Sequence, residues 1–137
     1  MVNDGAKVLI IDDFEMVRVT LRDCLRQLGY QNVEEAVDGQ QGLEMLESAL
    51  AANAPYSMIF ADLNMPRLTG VELLVACRKN AELRKIPFVM ISAEAERQYV
   101  VQALQQGAAD YIIKPFSTQT LQRKIEKVTN RFKKSAA

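Results

Sequence analysis

The sequence contains no histidine and no tryptophan, and only two cysteines among its 137 residues. The absence of histidine excludes Ser-His-Asp triads, a phosphohistidine on this chain and most zinc sites. Any metal would have to be a hard cation on oxygen ligands. Cys24 and Cys77 lie in predicted helices, which favours reduced core thiols over a disulfide.

The sequence also lacks an excess of one charge and a long apolar run. Its 17 basic and 17 acidic residues cancel, so a broad nucleic-acid surface is not expected. No run is long enough to span a bilayer, and residues 1–5 are not a signal peptide, so we expect a cytoplasmic protein without membrane contact. The length predicts one domain, residues 1–137, with a substantial core.

Short apolar runs alternate with helical patterns along the chain. Five runs are predicted as strands: Lys7–Ile11, Val33–Val37, Tyr56–Ala61, Ile86–Ile91 and Tyr111–Ile113. A helix is predicted after each of them: up to Gly29, from Asp38-Gly39, from about Thr69 to Arg78, from about Ala95 to Gln106, and from near Ser117. This strict alternation predicts an α/β fold, with a five-stranded parallel sheet covered by helices on both faces.

The stretch "FADLNMPRLTG" places a single carboxylate, Asp62, at the end of the third strand. Pro66 cannot continue a central strand, and Asn64 and Gly70 are turn residues, so the strand must end near Asp62. The carboxyl ends of parallel strands are where open α/β sheets bind their ligands. Asp62 is therefore a candidate functional residue, although a lone aspartate there is more often a turn or cap residue.

Other polar residues follow the other strong strands: Asp12-Asp13 the first, Ser92 the fourth and Lys114 the fifth. If these strands are neighbours, the side chains converge on one crevice. Three crowded carboxylates repel each other unless a cation lies among them, and Mg²⁺ suits such a ligand set. The Ser92 hydroxyl and the Lys114 charge would suit a phosphoryl group.

Four segments, "LIIDDFEMVR", "FADLNMPRLTGVELL", "FVMISAEA" and "GAADYIIKPFS", resemble the blocks of response-regulator receiver domains. The resemblance is greatest to the stand-alone, CheY-like chemotaxis regulators, and it extends from about Lys7 to Lys133. It implies a doubly wound flavodoxin/CheY-like sheet with strand order 2-1-3-4-5, which the spacing alone does not provide. Two segments depart from the family pattern: Ser48–Pro55 is longer, and Glu94–Tyr99 carries a different charge pattern.

The resemblance also implies roles for individual residues. Asp62 would be the phosphoacceptor, with Lys114 and Ser92 as its catalytic partners, and Ser92 and Tyr111 would form the switch. The implied Mg²⁺ ligands are Asp12, Asp13, Asp62 and the backbone carbonyl of Asn64. Asn64 and Glu94 would tune dephosphorylation, and the implied partner-binding residues are Arg97, Val100, Tyr111 and Lys124. A cis peptide is implied between Lys114 and Pro115.

The function implied is that of a two-component response regulator that catalyses only its own phosphorylation and dephosphorylation. Its expected partners are a CheA-like sensor histidine kinase, a flagellar motor-switch protein or another output protein, and a phosphatase. It is expected to be a monomer. Within the family, a phosphorelay intermediate or an excised receiver of a larger regulator are the alternatives.

Two functions outside the family fit the sequence less well. A flavin-binding domain would need a Ser/Thr/Gly-rich phosphate loop after the first strand, where Asp12-Asp13 would instead repel phosphate unless a metal intervenes. An aspartate-nucleophile phosphatase would need an Asp-x-Asp motif there, and adjacent aspartates do not have that spacing.

Overall fold

The computed structural model describes residues 5–93 and 97–136. Five strands and five helices alternate along the chain, with a short 3-10 helix at Leu83–Lys85. The strands are β1 (Lys7–Ile11), β2 (Asn32–Ala36), β3 (Met58–Asp62), β4 (Phe88–Ala93) and β5 (Asp110–Lys114). The helices are α1 (Glu15–Gln27), α2 (Gly39–Ala51), α3 (Gly70–Arg78), α4 (Arg97–Gln105) and α5 (Thr118–Ala136).

The sheet is parallel throughout, in the order β2-β1-β3-β4-β5. Both the predicted α/β class and the strand order are confirmed. The chain passes from β1 outward to β2 and then back to β3 on the other side of β1. The carboxyl ends of β1 and β3 therefore border the crevice where the direction of winding reverses, which is the usual ligand site of such sheets.

The core has two parts because alternate side chains of each strand point to opposite faces. On one face Leu9, Ile11 and Ile59 belong to a buried cluster that includes residues of α2, α3 and α4. On the other face Val8, Ile10 and Phe60 belong to a cluster with residues of α1 and α5. Continuous apolar strands are expected in a sheet that is buried on both sides.

The two cysteines lie in different halves of this core. Cys24 is in the cluster under α1 and Cys77 in the cluster under α3, and both are buried free thiols. The sheet separates them, so they cannot form a disulfide with each other. None of the helices within the described ranges is both long and apolar enough to cross a membrane.

Strand boundaries differ from the predicted ones most clearly in β4, which runs from Phe88 to Ala93 rather than from Ile86 to Ile91. Pro87 has no N–H to donate, so it contributes only its carbonyl, which accepts from the Ile59 N–H at 2.9 Å, and the first paired residue is Phe88. At the other end Ser92 and Ala93 still pair with Ile113 and Lys114. The predicted start of the fourth helix, Ala95, lies outside the described residues.

Candidate functional site

Three carboxylates meet at the carboxyl end of the sheet. Asp12 directly follows β1, Asp13 is its neighbour, and Asp62 is the last residue of β3. One carboxylate oxygen from each lies within 4.8 Å of the others. Asp12 is fully buried and Asp62 is 5% exposed, whereas Asp13 is exposed. The sequence prediction that these acids converge is therefore confirmed, while their roles remain predictions.

The position of Asp12 is fixed from two sides. Its Oδ1 accepts a hydrogen bond from the Phe14 backbone N–H, at 2.8 Å. Its backbone carbonyl accepts a hydrogen bond from Arg18 Nη1, at 2.7 Å, and Arg18 Nε forms an ion pair with Glu35 Oε1 at 2.9 Å. Sequence reasoning missed Arg18. The only available signal was an arginine one and a half turns after the acidic pair, on a helix whose other face is apolar.

The loop after Asp62 is held against the end of the sheet. The Leu63 N–H donates to the Ile91 carbonyl, and the Gly70 N–H donates to the Leu63 carbonyl, each at 2.9 Å. A side chain at Gly70 would bring its Cβ to 2.2 Å from the Asp62 carbonyl oxygen, so only glycine permits this close approach. Thr69 and Glu72 form a capping box that starts α3 directly behind the loop.

Lys114 is the cation of the site. Its Nζ lies 3.0 Å from Asp62 Oδ1, to which it donates a hydrogen bond, and 3.2 Å from Asp12 Oδ2. The Lys114–Pro115 peptide is cis, as the resemblance implied. One ammonium group therefore bridges the ends of β1 and β3 from the end of β5. No other lysine or arginine in the described segments forms an ion pair with these three acids.

The electrostatics of the site are dominated by burial and by repulsion. Burial raises the pKa of Asp62 to about 6, the charge of Asp12 adds to this rise, and Lys114 only partly opposes it. Burial also raises the pKa of Asp12, against the Phe14 hydrogen bond and the Lys114 charge. The pKa of Lys114 is itself raised: burial lowers it, but the hydrogen bond and charge of Asp62, together with the charge of Asp12, outweigh that effect. The pocket holds more negative charge than its lysine neutralises.

A stability prediction follows from the Asp62 pKa. The pKa of the Asp62 carboxyl rises on folding from 3.8 to about 6. Such a group contributes its full stabilisation at a pH below its pKa in the unfolded chain, and it loses that contribution as the pH rises through its pKa in the folded protein. At neutral pH the loss amounts to about 3 kcal/mol at most. Without divalent cations, Asp62→Asn should therefore be more stable than the wild type at about pH 7.5, and the difference should shrink towards about pH 5. Urea unfolding at both pH values measures it, and equal stability at the higher pH would contradict the prediction.

The donor set fits a hard divalent cation. Asp12 Oδ2 is buried and accepts no hydrogen bond from any residue that the structure describes, although the Lys114 ammonium is nearby. Such an oxygen, next to two further carboxylates, has lone pairs available for a metal. Asp12, Asp13 and Asp62 would supply the side-chain oxygens, and the Asn64 carbonyl is the further ligand that the sequence resemblance implies.

The metal interpretation predicts a double effect for Asp13→Asn. The variant should bind Mg²⁺ at least about tenfold more weakly, because ligand charge sets the affinity of such sites. In the absence of metal it should unfold at a higher temperature, because the Asp13 charge opposes ionisation of both Asp12 and Asp62. Calorimetric Mg²⁺ titration and thermal unfolding measure the two effects. Asp23→Asn, on the exposed side of α1, removes the same charge away from the site, and if its titration matched that of Asp13→Asn, Asp13 would not be a ligand.

The remaining residues predicted for the site lie around these carboxylates. Ser92 is fully buried at the end of β4, and its hydroxyl donates to the Ala93 carbonyl at 2.9 Å. Asn64 is exposed on the loop after Asp62, and Tyr111 is half-buried on β5. Glu94 lies outside the described residues.

The predicted partner-binding residues differ in their accessibility. Val100 is only 2% exposed, because the helical period turns it and Ala103 towards the core. The apolar side chains that α4 leaves on its surface are instead Tyr99, Val101 and Leu104. Arg97 begins α4, but its side chain lies outside the described part of the structure. Val100 is therefore a core residue in this conformation and is not available for direct partner contact.

Lys124 has two neighbours on β5. Its Nζ lies 4.5 Å from the centroid of the Tyr111 ring and donates a hydrogen bond to Asp110 Oδ1 at 3.0 Å. Asp110 was not predicted as a functional residue. Its signal in the sequence is an aspartate immediately before the aromatic residue of the fifth strand, combined with lysines three residues apart on the last helix.

Comparison with known proteins identifies the family. The sequence profile of the response regulator receiver domain matches residues 8–126. The chain belongs to the response regulator receiver family. The chemotaxis protein CheY of Pseudomonas aeruginosa is 41% identical over 125 residues, which cover 91% of this chain and 97% of that protein. Chemotaxis protein CheY-3 of Vibrio cholerae is 38% identical over 131 residues, covering 96% and 97% respectively.

Solved structures agree with this receiver assignment. The chemotaxis response regulator CheY4 of Vibrio cholerae superposes with a TM-score of 0.76 at 32% identity, covering 90% of this chain and 98% of that one. A receiver domain protein from Clostridium thermocellum gives 0.81 at 25% identity, covering 93% and 97%. This receiver domain is thus CheY-like, and its general function is two-component signalling rather than classical enzymatic turnover.

Proposed function

We propose that this receiver domain is a phosphorylation switch in which Asp62 accepts a phosphoryl group from the phosphohistidine of a CheA-like sensor kinase. The observation that carries the proposal is the Lys114 ammonium, which lies 3.0 Å from Asp62 and 3.2 Å from Asp12. A strand-end carboxylate held between a lysine and two further acids is suited to receive a phosphoryl group, because charge stabilisation is most of what phosphoryl transfer requires.

Transfer requires an ionised Asp62, and a pKa of about 6 leaves it a carboxylate at neutral pH. An Asp62 Oδ attacks the phosphorus in line, forming the O–P bond of an acyl phosphate. The P–N bond breaks, and the departing histidine nitrogen keeps its electron pair. Lys114 stabilises the charge on the transferring oxygens. A bound Mg²⁺ would supply further charge neutralisation there, held by Asp12, Asp13, Asp62 and the Asn64 carbonyl.

The switch begins at Ser92. Its hydroxyl exchanges its present acceptor, the Ala93 carbonyl, for an oxygen of the phosphoryl group. The space that it leaves allows the half-buried Tyr111 ring to turn inward, and the surface formed by α4, β5 and α5 is rearranged. Reversal is hydrolysis of the acyl phosphate, a reaction that Asn64 and Glu94 would tune and that a phosphatase partner would accelerate.

The output is proposed to be the flagellar motor switch, in chemotaxis. The support is the agreement of two relatives, each matched over almost its whole length and each described as a chemotaxis protein. We propose a single receiver domain over residues 1–137, acting as a monomer.

A receiver within a larger regulator is the second candidate for the output. A solved structure described as a probable two-component system response regulator/GGDEF domain protein superposes with a TM-score of 0.85 at 25% identity, and this chain covers 52% of it. A fold of this kind can therefore be one part of a longer regulator. A phosphorelay intermediate would share all the chemistry of the site and differ only in the partner.

The direct test is incubation with acetyl phosphate and Mg²⁺, followed by intact-mass measurement. We expect one added phosphoryl group that is lost on treatment with mild alkali, as an acyl phosphate is. A phosphorylated product that is stable to alkali would not be an aspartyl phosphate.

A further inference from the structure

Asp110 is a buried carboxylate at the start of β5, at the opposite end of that strand from Lys114. It is 5% exposed. Its Oδ1 accepts hydrogen bonds from the Tyr111 backbone N–H at 2.8 Å and from Lys124 Nζ at 3.0 Å. Its Oδ2 accepts none from the residues within the described ranges, although Lys127 Nζ lies 3.7 Å away. Oδ1 thus has two hydrogen-bond donors, whereas Oδ2 has only an ion-pair contact with Lys127.

Lys124 is held in place by Asp110 and covers the Tyr111 ring. Its side chain is 25% exposed and its Nζ lies 4.5 Å from the ring centroid, a favourable cation–π distance. If Tyr111 turns inward, this ring contact is lost and the hydrogen bond to Asp110 alone retains Lys124. Withdrawing Lys124 as well would leave a buried carboxylate without its cation, which is strongly unfavourable.

Lys127 is placed to prevent that loss. It lies three residues after Lys124 on α5, so the two side chains leave the same side of the helix. It is 67% exposed, and its ammonium is already within ion-pair distance of the Asp110 oxygen that lacks a hydrogen bond. A long flexible side chain needs only a rotamer adjustment to close a gap of this size.

We propose that Lys127 replaces Lys124 as the hydrogen-bonded counter-ion of Asp110 whenever Lys124 is withdrawn. Both lysines keep their charge, so no proton moves. The proposal rests on the proposed function only for the event that withdraws Lys124, namely the turn of Tyr111 and the docking of an acidic partner. The exchange itself depends on the three side chains alone. Lys127 is thereby a positioning residue of the output surface, acting through Asp110 rather than by touching the partner.

The exchange is tested without any partner by removing Lys124. In Lys124→Met, the Lys127 Nζ protons should become protected from water and observable by ¹⁵N-resolved NMR, whereas in the wild type their exposure should leave them in fast exchange. If Lys127 only stabilised the fold, its Nζ proton signal would be the same in Lys124→Met as in the wild type. Arg123→Met, which removes a cation from the exposed side of the same helix, should leave the Lys127 signal unchanged.

Unfolding temperatures provide the second measurement. Lys124→Met and Lys127→Met should each lower the midpoint by less than about 4 °C, while the double variant should lower it by about 10 °C or more, because only then is the buried carboxylate left without a cation. Adding Asp110→Asn to the double variant should restore most of this loss. Additive losses with an unchanged Lys127 signal would overturn the proposal.

The effect on the output is measured with an acidic amphipathic peptide from a motor-switch protein and the beryllofluoride-activated protein. Lys127→Met should weaken binding several-fold while acetyl phosphate labelling of Asp62 stays at the wild-type level. The exchange would be refuted if Lys127→Met left the peptide affinity unchanged and the losses in unfolding temperature of the two single variants simply added in the double variant. If the peptide bound no variant at all, the proposed motor output would fail, and the NMR and unfolding results would decide the exchange by themselves.

Discussion

Replacement of Asp62 by alanine is expected to abolish phosphorylation completely. The wild type should gain one phosphoryl group from acetyl phosphate and Mg²⁺, and Asp62→Ala should gain none. Among the described residues, the only other carboxylate paired with Lys114 is Asp12, which is fully buried and therefore not accessible to the phosphodonor. Intact-mass measurement over a time course gives the stoichiometry. Retained labelling of one group per chain with the same alkali lability would remove Asp62 from its role.

A loss of labelling in this variant is not expected to result from unfolding. The Asp62 charge destabilises the fold at neutral pH, since its pKa is raised to about 6 by burial and by Asp12, so its removal relieves repulsion. Asp23→Ala, on the exposed side of α1, is the matched control and should label normally. Circular dichroism should show the same helix content for both variants and the wild type.

Lys114→Ala separates phosphorylation from switching. The nucleophile remains, so much of the labelling by acetyl phosphate should persist. The contact that joins the ends of β5, β3 and β1 is lost, because Lys114 Nζ alone links Asp62 and Asp12 among the residues described. Partner binding should therefore no longer respond to phosphorylation. A variant that labels and still switches would limit Lys114 to a structural role.

The order of elements was predictable from the sequence because burial on both faces makes the inner strands β1, β3 and β4 nearly continuous apolar runs. The residues at which the strands begin and end were less predictable. Tyr56 was predicted to begin the third strand and its side chain is buried, yet pairing begins at Met58 and continues to Asp62, which pairs with Ile91. Hydrophobicity reports which side chains are buried, whereas a strand is defined by backbone hydrogen bonds, and a polar residue at the sheet edge can still make them.

The candidate site was predictable where it depends on strand ends alone. The convergence of Asp12, Asp13, Asp62 and Lys114 requires that parallel strands end on the same side of the sheet and that β1, β3, β4 and β5 lie side by side. The second condition came from the family resemblance and not from the spacing. Two supporting residues, Arg18 and Asp110, were missed because each acts through a partner on the next element of the chain, Arg18 with Glu35 and Asp110 with Lys124. The sequence offers a signal for each residue, but the pairing itself depends on how far the side chains reach in the folded chain.

The second large effect is expected at the output surface. Activation by beryllofluoride should tighten binding of a motor-switch N-terminal peptide by a coupling on the order of 1–3 kcal/mol, or roughly 5- to 150-fold. The surface offers the exposed apolar side chains of α4, including Val101 and Leu104, and the Lys124 ammonium beside Tyr111. An acidic amphipathic helix complements such a surface. Fluorescence anisotropy of the labelled peptide measures the affinity with and without beryllofluoride.

Lys124→Glu should erase this gain, but the variant also brings a new carboxylate towards the buried Asp110. Lys124→Met is therefore the necessary companion, since it removes the charge without adding repulsion. If binding falls in both variants while Arg123→Met binds as the wild type does, the loss belongs to the Lys124 contact and not to a weakened fold. By linkage, a peptide that prefers the active state should also slow the loss of phosphate from Asp62. Normal phosphorylation without peptide binding in either state would leave the phosphorylation switch in place and exclude the motor as its output.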